Sequence, residues 1–294
     1  MQFDAQCITC LVKRQFELAD RGPNDPAGFA FMREVLQEIL NAPGGVAAPY
    51  MIPGFTAAYQ KYFGCADPYE KVKKDANDHV LSILPAVRPI VEQAADPIEM
   101  ALKFARTGNL LDFAVLPADM IDRELEKMIG ETPASAIDPD TYRHFRADLD
   151  KAKTMIIIGD NAGEIAFDLL LVEQIKKAYP ALGLSYAVRG GIAQNDATRA
   201  DAAYVGMDKL VPVIDSGCSI PGTELGYCSD SFRTAVQYAD LVVAKGQANH
   251  ETLGGCGLNV YYLFLCKCAR LAQIIGVPTM TKMFICEKEP AVRQ

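Results

Sequence analysis

Lys153-Thr-Met-Ile-Ile-Ile-Gly159-Asp160-Asn161-Ala-Gly163-Glu164, followed by Ile-Ala-Phe-Asp168-Leu-Leu-Leu, is the stretch whose reading decides the fold. Its β-branched apolar run has no helical spacing and predicts a strand buried on both faces. The run stops at Gly159-Asp160-Asn161. Apolar residues then recur at Ile165, Phe167, Leu169, Leu170 and Val172. Asn161 and Glu164 stand at capping-box spacing, so a helix follows. Ligands of open α/β sheets collect beyond the carboxyl ends of the strands, which makes Asp160 and Asn161 candidate hard oxygen ligands. The same residues have an ordinary use, Asn161 as a cap and Asp160 as an acid at the positive helix end. For this pair alone the two readings weigh equally.

Downstream, the pattern alternates. Strands are predicted at Thr154 to Ile158, Leu184 to Val188, Lys209 to Ile214, Asp240 to Ala244 and around Lys282 to Cys286, with helices between them. That alternation predicts a Rossmann-like, three-layer α/β/α domain with a mostly parallel sheet over residues 149–294. Upstream, residues 1–148 read as an all-helical domain. Its helices are expected at Ala5 to Leu18, Gly28 to Leu40, Tyr69 to Leu84, Pro97 to Ala105 and Tyr142 to Ala152, with Pro43 to Gly45 and Pro49 to Gly54 as loops.

Polar motifs follow each of four apolar runs. After Val188 comes Arg189-Gly-Gly191-Ile-Ala-Gln-Asn195-Asp196-Ala-Thr198, and after Ile214 comes Asp215-Ser216-Gly217. After Ala244 comes Lys245-Gly246-Gln247-Ala-Asn249-His250-Glu251-Thr252. In a parallel sheet these tips share one edge, so Asp160, Asn161, Asp196, Lys245, Asn249 and Glu251 can converge. Asp and Asn oxygens without a His or Cys triad suit a hard divalent cation that also takes phosphate oxygens. Gly190-Gly191 and Ser216-Gly217 let backbone amides approach an anion. Lys245 closes a buried strand, where an ammonium is costly without an anion, and a phosphate is the expected partner. His250 reads as packing, and Asp168 as a solvated or structural acid. Neither a Walker-type loop nor a G-x-G-x-x-G turn is present.

The chain has 294 residues, half of them apolar, enough for a large core and about two domains. A formal charge of −8 and a pI near 5.0 argue against a nucleic-acid or anionic-membrane surface. Leu258 to Leu265 is the most apolar late stretch, far short of the ~20 residues of a spanning helix. Met1-Gln-Phe-Asp4 lacks the basic region of a signal peptide, and nine cysteines in a chain this long do not read as a disulfide scaffold. A soluble protein of the reducing cytoplasm is expected.

Together, Gly159-Asp160-Asn161-Ala-Gly163-Glu164-Ile-Ala-Phe-Asp168, Asn195-Asp196-Ala-Thr198 and Lys245 to Thr252 resemble the damage-control phosphatase family formerly called DUF89, also known as ARMT1-like. Gly108-Asn109-Leu-Leu-Asp112-Phe113 and Asp215-Ser216-Gly217 are also similar to it, and Cys7-Ile-Thr-Cys10 resembles the CxxC of its prokaryotic branch. The resemblance implies hydrolysis of phosphate monoesters of small metabolites, sugar phosphates or damaged phosphometabolites, with a divalent cation (Mg, Mn, Co or Ni). It implies Asp160, Asn161 and Asp196 as metal ligands, and these three with Lys245, on the phosphate, as the catalytic residues. Glu251, Asn249, Ser216, Gly217, Arg189 and Asn195 are expected to bind substrate, and Glu164 to stand in the wall. Cys7 and Cys10 are expected to pack or make a domain contact, with a metal site second, and to lie outside the catalytic cleft. The competing reading is a non-catalytic metal- or metabolite-binding sensor.

Overall fold

The structure is a computed structural model that describes residues 1–22, 24–108 and 118–288. The motif Gly108-Asn109-Leu-Leu-Asp112-Phe113 therefore lies, beyond Gly108, outside the described residues. Six strands form one sheet: β1 (Thr154–Ile158), β2 (Gly183–Val188), β3 (Val213–Asp215), β4 (Leu241–Lys245), β5 (Val260–Cys266) and β6 (Thr281–Cys286). Their spatial order is β3-β2-β1-β4-β5-β6, parallel except for β6, which pairs antiparallel with β5. From β1 the chain builds outward through β2 and β3, then returns to lay β4 on the other side of β1. The crevice where a sheet reverses in this way is where α/β folds bind ligands, and here it opens at the carboxyl ends of β1 and β4.

The quoted isoleucine run explains why the sheet is covered twice. Side chains alternate across a strand. Met155 and Ile157 join one core with Tyr186, Val243 and Tyr261, whereas Ile156 and Ile158 join another with Ala187, Val242 and Tyr262. The first core is closed by α8 (Glu164–Ala178) and α9 (Arg199–Val205), with α8 lying against α4 (Glu70–Glu92) and α5 (Pro97–Thr107). Being enclosed on both sides, α8 buries Ile165, Phe167, Leu170, Leu171 and Val172 completely and shows no single apolar face. The second core is closed by α10 (Asp230–Tyr238), α11 (Gln247–Leu253) and α12 (Ala269–Ile275).

Residues 1–149 contribute α1 (Ala5–Ala19), α2 (Pro26–Asn41), α3 (Ile52–Phe63), α4, α5, α6 (Ala118–Glu131) and α7 (Pro139–Leu149). Helices give way to the alternating pattern at Leu149, yet this is no break between cores. Leu84, Phe104 and Phe145 share a cluster with Ile157 and Phe167, while α1 to α3 form a separate cluster around Phe31, Val35 and Phe55.

Four sequence expectations are corrected. β5 was not anticipated because its seven residues are all buried and its aromatic run shows no alternation. The strand expected from Lys209 begins at Val213, since Met207–Lys209 is a 3₁₀ turn. Pro49 to Gly54 is a 3₁₀ turn leading into α3, whose Pro53 occupies the first turn, where the missing N–H costs nothing. α4 runs past Pro85 and Pro89 to Glu92, because Val87 and Val91 are fully buried and anchor the extension.

Candidate active site

At the tip of β1 the expected cap does not form. The helix N-cap is Gly163, at φ 80°, and its N–H donates to Asn77 Oδ1 at 2.7 Å. Asn161 is thereby released for other work. Its Nδ2 donates to Asp160 Oδ2 at 2.8 Å and to Glu164 Oε2 at 3.3 Å, which leaves its carboxamide oxygen as an acceptor. The backbone of Asn161 bridges that of Asp196 in antiparallel fashion. Ala162 N–H to Asn195 O (2.9 Å) and Ala197 N–H to Asp160 O (2.7 Å) pin the two tips together. Arg189 is buried and donates from Nε to Asp196 Oδ2 at 2.7 Å and from Nη2 to Gly159 O at 3.1 Å, fixing the second carboxylate against the first strand. Gly246, at φ 79°, closes the floor from β4. A Cβ there would stand 2.0 Å from Asp160 Oδ2, so only glycine lets the carboxylate lie over this backbone.

These carboxylates are held where ionisation is costly. Burial, and then the charges of Asp196 and Glu164, pushes Asp160 well above the usual carboxylate range. Burial also raises Asp196, against the opposing pull of Arg189. A positive charge beside these buried carboxylates would offset that cost. The donors are hard oxygens, two carboxylates and one carboxamide, which suits Mg²⁺ or Mn²⁺ and not a soft metal. Among the described residues no three His, Cys, Asp or Glu side chains converge as a ligand set, so the fit rests on Asn161 as the third oxygen.

The floor opens into a cleft of about 470 Å³. Of the residues expected from sequence, Asp160, Asn161, Asn195, Asp196 and Glu251 line it. Lys245 does not. Its ammonium is completely buried, donating to Glu164 Oε1 and, at 2.7 Å, to Asp168 Oδ1. Burial alone would depress its pKa, but those two carboxylates outweigh burial and raise it. Of the two readings of Asp168, the structural acid is the one that holds, not the solvated one. It is fully buried and also accepts from Tyr186 OH at 2.6 Å, and burial pushes its carboxyl up to about 6. Lys245 thus reaches the floor only through Glu164, which holds Asn161.

Three more expected substrate ligands turn inward, and a fourth, Gly217, is exposed but lies outside the cleft. Arg189 is the strut of Asp196 and also donates from Nη1 to Thr223 Oγ1 at 3.2 Å. Asn249 is fully buried, donating to Gly159 O at 3.3 Å and accepting from Thr223 Oγ1 at 2.8 Å. Ser216 Oγ accepts from Gly190 N–H at 3.2 Å inside its loop, and the Cα of Gly217 packs on Ser229. These residues carry the tip loops and do not face the cleft.

The other wall comes from α1, against expectation. Cys7, Cys10, Leu11 and Arg14 fall at i, i+3, i+4 and i+7, and this face of α1 lines the cleft. Asp4, the N-cap of α1, ties it down through a 2.5 Å ion pair with Arg270. Gln247, Lys267 and Cys268 complete the opposite rim. Gln194 also lines the cleft, with a left-handed φ of 56° that is uncommon for a residue with a Cβ. None of these except the CxxC had a legible signal, since nothing in sequence says which helix covers a sheet edge.

Comparison with known proteins agrees with this architecture. A family model described as the damage-control phosphatase ARMT1-like domain matches residues 3–283. The protein MJ0202 of Methanocaldococcus jannaschii is 31% identical over 282 residues, 92% of this chain and 91% of that one. A damage-control phosphatase of Archaeoglobus fulgidus is 32% identical over 216 residues, 73% of this chain and 74% of its own. The damage-control phosphatase PH1575 of Pyrococcus horikoshii is 31% identical over 290 residues, 95% and 96% of the two chains. The crystal structure of PH1575, a DUF89 family protein, aligns with a TM-score of 0.83 at 27% identity, covering 98% of this chain and all of that one. By the extent of that family match and of its relatives, the chain belongs to the ARMT1-like damage-control phosphatase family.

Proposed function

We propose that the chain is a divalent-cation-dependent phosphatase that hydrolyses phosphate monoesters of small metabolites. The observation that supports this reading is the floor itself: Asp160, Asn161 and Asp196 adjoin at the switch point of the sheet and offer oxygen donors, with both carboxylates buried and the Asp196 charge acting against that of Asp160. Two relatives named damage-control phosphatases support the reaction class. When bound, Mg²⁺, Mn²⁺, Co²⁺ or Ni²⁺ supplies positive charge to the phosphoryl oxygens and makes water a better nucleophile at neutral pH.

The chain's own residues perform the positioning. Asp160, Asn161 and Asp196 would hold the cation. Arg189 orients Asp196, Asn161 Nδ2 orients Asp160, and Glu164 is fixed in turn by Lys245. Such prearranged groups lower a barrier because they need no reorganisation as charge develops. Glu251 is buried, accepts from Gln247 Nε2 at 2.7 Å and shapes the wall beside the floor. Its carboxyl is raised by burial.

The test is phosphate release from p-nitrophenyl phosphate and a sugar-phosphate panel with each of the four cations, and again with excess chelator. Release that depends on cation and is restored by adding it back is the expected result. Binding of cation without release from any ester would leave a sensor or storage module in place of an enzyme.

A further inference from the structure

The floor of the cleft is negative, but its rim is not. Arg14 reaches the cleft from α1, and Lys267 from the turn between β5 and α12. Both are exposed, and among the described residues neither makes a salt bridge or a side-chain hydrogen bond, although the Lys267 charge bears on Asp160 and the Arg14 charge on Glu251. Arg270 lines the same rim, yet it is already held by Asp4. Cations from two elements, separated in sequence by more than 250 residues, therefore face one cavity in a protein of formal charge −8. The volume is also informative. About 470 Å³ falls within the range of pockets that hold whole metabolites, far more than a phosphoryl group needs.

We propose that Arg14 and Lys267 form a second anion subsite, so that the preferred substrate carries, besides its phosphate ester, a further anionic group, a carboxylate or a second phosphate. The inference rests on the phosphatase reading for which end of the substrate enters the floor. The ester group is drawn to the cation held by Asp160, Asn161 and Asp196, and the second anion lies outward between α1 and the β5–α12 turn. Arginine and lysine suit this division, the first as a planar fork for paired oxygens and the second as a mobile point charge. Because both are exposed, their contribution is to selectivity and capture more than to tight binding.

Two pairs of compounds, each differing by one carboxylate, test this. In the first, 4-phosphonobutyrate and butylphosphonate, neither of which can be hydrolysed, are titrated calorimetrically into the Mn²⁺-loaded protein. The wild type is expected to prefer the carboxylated compound by roughly tenfold, the scale of 1.4 kcal/mol. R14A/K267A should bring that ratio close to one, and R14K/K267R should keep most of it. Equal affinities in the wild type, no binding of either compound, or a double variant that weakens both equally would overturn the subsite. In the second pair, kcat/KM for 3-phosphoglycerate is compared with that for glycerol 3-phosphate. A calorimetric preference without turnover of either ester sinks the phosphatase reading and leaves the subsite standing. Equal turnover of the two, unchanged in ratio by R14A/K267A, does the reverse.

Discussion

Asp160 is a buried carboxylate held beside other acids. Its carboxyl is raised by burial and by the neighbouring Asp196 and Glu164 charges, so the metal-free protein bears a repulsion that a cation would relieve. Asp160→Asn keeps the shape and removes one charge. We expect it to abolish phosphate release while raising the melting temperature of the chelated protein, and to remove the stabilisation that Mn²⁺ gives the wild type through binding to the folded state. A variant as active as wild type, or one whose melting point still rises with Mn²⁺, would exclude Asp160 as a ligand. Lys245 presents the opposite case. The Lys245 ammonium lies between Glu164 and Asp168 with no surface exposed, so Lys245→Met removes the positive charge that two buried carboxylates share. Breaking a buried pair on one side costs about 3–5 kcal/mol, so urea unfolding should move to distinctly lower concentration. A midpoint equal to wild type would mean that the pair adds nothing to stability.

At the scale of elements, the site depends on how closely neighbouring tips approach. β4 ends in Lys245, and the next residue turns the chain under Asp160 at a φ that suits glycine. Gly246→Ala places a methyl group inside the Asp160 carboxylate, and the backbone conformation is unfavourable for alanine as well. The expected outcome is a protein with unchanged far-ultraviolet circular dichroism, a lower melting temperature and at least a ~10²-fold loss in kcat/KM, the scale of misplacing a catalytic group by about 1 Å. Full activity in Gly246→Ala would show that Asp160 can withdraw without loss. The helix that follows Gly246 contains His250, whose ring stands edge-on to Tyr262 (centroids 4.9 Å apart) and stacks on Phe264 (5.1 Å). Among the described residues its buried Nδ1 has no hydrogen-bond partner. The sequence reading of His250 as packing agrees with these contacts.

For the whole molecule, that histidine sets part of the acid limit. Burial, helped by the amino-terminal charge, lowers its pKa from 6.5 to about 4. The folded state therefore favours the neutral ring. The associated stability is complete above about pH 6.5 and is lost as pH falls through 4, on the order of 3 kcal/mol in all. His250→Phe keeps the aromatic contacts without an ionisable ring, so its melting temperature should decline less between pH 7 and 4.5. Parallel curves for the two proteins would refute this origin. The sequence alone determined the α/β class, four of the strands near their observed positions, and the meeting of Asp160, Asn161 and Asp196. The reason is that an unbroken Ile156-Ile157-Ile158 run, buried on both faces, forces the next polar residues to the carboxyl edge of a parallel sheet. Tertiary structure alone decided which of the motif's side chains face the cleft. Lys245, Arg189, Asn249 and Ser216 look like ligands in one dimension, yet each finds an internal partner first, because a buried polar group left unpaired costs more than a contact with a transient ligand returns. The packing of α1 over the sheet edge likewise brought Cys7, Cys10 and Arg14 to the cleft, since that contact joins residues more than 250 positions apart and leaves no periodic trace in the chain.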